Sequence, residues 1–136
     1  NYVKAIGVGE CAGVVIDLVA TLLFEAKDKL TFSHEALQEG KWSDSIYLTY
    51  AGFVNGAKAL LLAEGQKTNT HAGIIDLFDT VFVETNKIEL GSSFKDLVYQ
   101  INKKEPSEAF AKAYIEQGVA FFENIENYRT KDIANA

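Results

Sequence analysis

The chain has 136 residues, 48% of them apolar, with a formal charge of −6 and a pI near 4.9. That length suits one domain with a real core, and the composition excludes general disorder. The acidic balance argues against nonspecific attachment to nucleic acid or an anionic membrane. A lone cysteine, Cys11, excludes an internal disulfide or a Cys-rich metal site and points to a reducing, cytoplasmic setting. The chain begins at Asn1 and holds no methionine, which reads as a piece of a longer protein.

Residues 1–9 (NYVKAIGVG) form a short apolar lead-in closed by glycines. From Glu10 to Glu39 a helical stripe follows: Val15, Leu18, Val19, Leu22, Leu23, Ala26, Leu30 and Leu37. Thr31, Phe32 and Ser33 weaken it, leaving open one bent helix or two consecutive ones. Gly40 stands where a left-handed C-terminal cap belongs, and Ser43 is placed to cap the next helix. That second helix buries Ile46, Tyr50, Phe53, Val54, Ala57, Leu60 and Leu61 on one face. Its stripe of Ala51, Gly52, Gly56, Ala57 and Ala59 lets a neighbouring helix come close.

The polar loop GQKTNTH comes next, with Thr68, Asn69 or Thr70 able to cap a third helix carrying Ile74, Leu77, Phe78, Val81 and Phe82. The polar run ETNKIELGSS turns at Gly91. Ser93 and Asp96 have capping-box spacing ahead of Leu97, Val98 and Ile101, a short fourth helix. Pro106 suits the first position of a fifth helix, with Phe110, Tyr114, Phe121, Ile125 and Tyr128 inward and Lys112, Glu116, Glu123 and Glu126 outward. Residues 130–136 read as a frayed tail. Without period-2 alternation, the expectation is an all-α, up-and-down bundle of four to five helices over residues 10–129. The longest apolar candidate, Ala12 to Phe24, is interrupted by Asp17 and falls short of the roughly 20 residues of a membrane span.

Gly7, Gly9 and Gly13 invite a dinucleotide reading, but no downstream strand completes such a fold. Cys11 reads as a small helix-start residue, and His34 as a surface residue. Asp76 and Asp79, three apart, match a solvated face. Trp42, Tyr47, Tyr50 and Phe53 suit a core or a dimer interface. Two histidines far apart leave no metal constellation and imply no cofactor within this stretch. The sharper site is the turn holding Lys67, Thr68, Thr70 and His71. There a helix start with free N–H groups and a nearby lysine could hold an anion.

The run WSDSIYLTYAGFVNGAKALLLAEG, followed by KTNTHAGIIDLF, resembles the HEPN domain. Its specific part is Trp42 to Phe82. The opening IGVGECAG resembles the start of a HEPN-type extension behind ferredoxin-type sulfite or nitrite reductases. The resemblance implies a bundle that commonly dimerises and that binds or acts on nucleotides or RNA. Ribonuclease members of that family carry an arginine, four to six residues, then histidine. The matching positions before His71 are Glu64, Gly65 and Gln66, and the one arginine is Arg129. Without a guanidinium to meet phosphoryl charge, cleavage loses a component. The reductase centres need four cysteines, which lie elsewhere in any such parent. The expectation is therefore a noncatalytic interaction and dimerisation module, accessory to an upstream sulfite or nitrite reductase. The alternative is a nucleotide- or RNA-binding domain with its phosphate site at residues 67–71.

Overall fold

A computed structural model of the protein describes the backbone of residues 8–135 and the side chains of residues 18–131. Five helices carry the fold: α1 (Val8–Gln38), α2 (Trp42–Ala63), α3 (His71–Phe78), α4 (Phe94–Val98) and α5 (Glu108–Asn135). A π-helical turn, Asp79–Val83, prolongs α3, and a 3-10 turn, Tyr99–Asn102, prolongs α4. There is no strand among the described residues, so the all-α bundle is the observed class.

α1 is one continuous helix of 31 residues. The Thr31–Ser33 stretch does not break it, because its polar groups find partners. The Thr31 hydroxyl donates to the Lys27 carbonyl at 3.3 Å, and Ser33 turns inward against α2. α1 ends in a Schellman motif: Lys41 N–H donates to the Ala36 carbonyl and Gly40 N–H to that of Leu37, with Gly40 at φ 78°. The motif passes straight into α2, whose N-cap is Lys41 with no side-chain cap bond. Ser43 therefore lies within the first turn and does not cap it. Ser107 precedes α5 and accepts from Phe110 N–H, so Pro106 stands just outside the helix and not at its first position. The α5 backbone stays helical through Asn135, past the boundary expected after residue 129. Most of the 1–9 lead-in lies outside the described residues, but Val8, Gly9 and the run to Gly13 are already helical.

Helix directions follow from which residues meet. Ser33 of α1 meets Ser45 and Thr49 of α2, so these two helices are antiparallel. Tyr50 meets His71, Phe121 joins Phe53 to Phe78, and Tyr128 touches both Glu64 and Phe82. Residue numbers rise together along α2, α3 and α5, so these three run in one sense and α1 opposes them. The direction thus does not alternate at every step. The reason is local: after a second Schellman motif at Gly65, residues 66–69 return beside Lys58 and Leu62 of α2, and α3 begins at His71 against Tyr50.

The core lies where these helices converge. Phe53, Phe78, Phe94 and Phe121 form one aromatic cluster, with centroid separations of 4.5 Å for Phe78–Phe94 and 5.0 Å for Phe94–Phe121. Gly56 admits the Phe122 ring, whose atoms lie 3.0 Å from where a Cβ would stand. By length and composition Trp42–Ala63 would pass for a membrane-crossing helix, yet 56% of that window is buried within the bundle. Its apolarity is that of a central core helix.

Candidate functional site

The turn before α3 is built by its own threonines. Thr70, in extended backbone, accepts from Gly73 N–H at 3.0 Å and caps α3, the third of the three residues the sequence offered. A Cβ on Gly73 would stand 2.5 Å from the Thr68 hydroxyl and 2.7 Å from that of Thr70. Both hydroxyls therefore press onto the first turn, and only a residue without a side chain fits beneath them. His71 is exposed, and its Nδ1 lies 2.9 Å from the Tyr50 hydroxyl, either group donating according to the imidazole tautomer. Burial, with smaller effects from Tyr99 and Tyr47, pushes the Tyr50 hydroxyl above its ordinary range, so it keeps its proton at neutral pH.

Lys67 and Thr68 lie elsewhere on the turn, lining a cavity of about 200 Å³ with Lys58, Leu62, Gln66 and Asn69. His71 and Thr70 do not line it. The four sequence candidates thus divide: two flank a small lysine-bearing depression, and two are engaged in helix capping and a tyrosine contact. Lys58 was not legible as a member, because its distance in sequence hid that the return segment lies along α2.

The positions that would carry a ribonuclease arginine are spent otherwise. Glu64 accepts the Tyr128 hydroxyl at 2.6 Å, and Gly65 takes the left-handed conformation of the helix cap. Arg129 sits on α5 beside Leu23, Lys27 and Glu126, at a cavity that does not include His71. Asp79 is not a member of a solvated pair. Its carboxylate accepts from Phe94 N–H at 2.6 Å and Lys95 N–H at 3.0 Å, holding the start of α4, while Asp76 is exposed. Among the described residues no group of three or more histidine, cysteine, aspartate or glutamate side chains converges. Cys11 lies outside the residues whose side chains are described.

The fold and this turn define an all-α bundle with a capped polar corner. No family model matches the chain. Among curated proteins, it is similar to UPF0332 protein PH1297 of Pyrococcus horikoshii, with 36% identity over 63 residues. That match covers 46% of this chain and 44% of the relative, so the chain spans under half the length of the protein it resembles.

Proposed function

We propose that the chain is a noncatalytic helical interaction module that pairs with a second copy of itself and serves as an accessory unit of a larger protein. One observation carries the reading. In the α1 stretch Leu18–Phe24, six of seven residues are apolar, yet only Val19 is buried. Leu18 is 49% exposed and Phe24 66%. The stretch itself holds no charge, and the next turn below Phe24 brings one charge of each sign, Lys27 and Asp28, onto the same face. Attachment to a sulfite or nitrite reductase rests on the Ile6–Gly13 resemblance alone, and the HEPN-like assignment on Trp42–Phe82. Sedimentation velocity from micromolar to millimolar concentration tests the pairing: a concentration-dependent dimer is expected, and a strict monomer throughout overturns it.

A second reading is favoured by the paired lysines Lys58 and Lys67 at the depression beside the 67–71 turn, which suit a nucleotide phosphate. It predicts saturable nucleotide binding that raises the melting temperature and is lost in Lys67→Ala. Unchanged melting temperatures across a nucleotide panel exclude it.

A further inference from the structure

A different surface lies at the C-terminal end of α1. Where α1 turns into α2, an open groove of about 370 Å³ is lined by side chains of both helices. Phe32 on α1 and Tyr47 on α2 flank it and are 48% and 58% exposed. Glu35, Glu39 and Asp44 line it with them. The one cation in the lining, Lys41, stands 3.8 Å from Glu39, which leaves the groove two net negative charges. The tight Schellman connection holds both walls in fixed relation, so the groove is built into the fold.

We propose that this groove docks a cationic amphipathic helix of a partner protein. The argument is complementarity of both chemistries. Phe32, Glu35 and Glu39 stand at i, i+3 and i+7 on one wall, and Asp44, Tyr47 and Leu48 at i, i+3 and i+4 on the other. An incoming helix with apolar anchors at the same spacing covers the two rings and brings flanking lysines or arginines to the carboxylates. A second copy of this chain fits poorly here, because a two-fold contact brings the same carboxylates together in a chain already carrying −6. The groove is thus separate from the uncharged self-pairing stretch and does not depend on it.

The test is fluorescence polarisation with the whole chain and a labelled helical peptide carrying leucines at i, i+3, i+4 and i+7 and lysines elsewhere. A peptide with the same leucines and glutamates for lysines is the comparison. Saturable binding of the cationic peptide is expected, weakening as salt is raised, with none to the acidic one. Phe32→Ser and Glu35→Lys each weaken it at least tenfold. Both positions are exposed, and circular dichroism confirms that each variant folds. Glu116→Lys, on the outward side of α5, leaves it within twofold. Absence of saturable binding overturns the proposal. So does binding that all three variants weaken equally, which is general attraction to an acidic surface. A loss of self-association in Phe32→Ser, with no peptide bound, assigns the groove to a second copy and overturns it as well.

Discussion

Ser33 is the residue at which polarity looks most out of place and turns out to be satisfied. Its hydroxyl lies 2.6 Å from the Ser45 carbonyl, 2.9 Å from the Ser45 hydroxyl and 2.7 Å from that of Thr49, all fully buried between α1 and α2. Removing Ser33 takes away the partner of the buried Ser45 hydroxyl, while Thr49 still donates to the Ser45 carbonyl at 3.0 Å. Ser33→Ala is therefore expected to cost about 1–3 kcal/mol in urea denaturation, while replacing all three with alanine, alanine and valine costs less than the sum of the single losses. Gly73 is the second such residue. In an open helix Gly→Ala gains about 1 kcal/mol, but here the new Cβ displaces the Thr68 and Thr70 hydroxyls. Gly73→Ala is expected to lower stability by about 1 kcal/mol through loss of the Thr70 cap, read as a reduced melting temperature. Neither effect was legible in the sequence. A serine in a weakened stripe reads as an exception, and a glycine in a first turn gives no signal, until the facing hydroxyls are known.

At the scale of elements, periodicity located all five helices, because apolar residues returning every three or four positions must share a face. Capping chemistry placed the left-handed end of α1 at Gly40 and the starts of α3 and α4, but not the starts of α2 and α5. Ser43 and Pro106 carry good capping chemistry, yet the Schellman motif at Gly40 and the Ser107 cap settle those ends instead. Asp79 was legible only as one of two acids three residues apart, since the residues it caps are 15 and 16 positions on. It ties the start of the π-helical turn to α4. Asp79→Ala is expected to cost about 2 kcal/mol, because charge-assisted bonds to backbone N–H groups are among the stronger ones. The loss should concentrate on α4, so amide hydrogen exchange of residues 94–98 accelerates more than that of α2. Uniform acceleration would mean that Asp79 supports the whole fold and not that junction.

At the scale of the molecule, the buried Tyr114 and the half-buried Tyr50 are expected to contribute to the alkaline limit. Burial raises the hydroxyl of Tyr114, which donates to the Val98 carbonyl at 2.6 Å, and that of Tyr50, above the ordinary value of 10.0. The neutral form is the one the fold favours. Above pH 10 the unfolded chain loses these protons first and so binds fewer than the native state, and stability falls as pH rises. Below that pH both states are protonated and the contribution is constant. Tyr114→Phe should flatten the alkaline limb of a stability–pH curve while lowering the neutral plateau by about 1 kcal/mol for the lost hydrogen bond. An unchanged limb would show that other groups govern it. The candidate site was less legible than the fold. The 67–71 turn was found from its capping residues, but its division between a lysine-flanked depression and a tyrosine-held histidine depends on the return segment along α2, which no local pattern announces. The exposure of Leu18 and Phe24 was hidden too, because an apolar helical stripe reads alike whether a neighbour covers it or not.

The self-pairing of α1 is the central claim, and its most direct test is sedimentation velocity on wild type and Phe24→Lys at matched concentrations, with Tyr47→Lys as the distant comparison. The account predicts a dimer for wild type and Tyr47→Lys and a monomer for Phe24→Lys, all three with the same helical circular dichroism. A dimer that survives Phe24→Lys, or one that Tyr47→Lys dissolves instead, contradicts the placement of the interface on the uncharged Leu18–Phe24 stretch of α1.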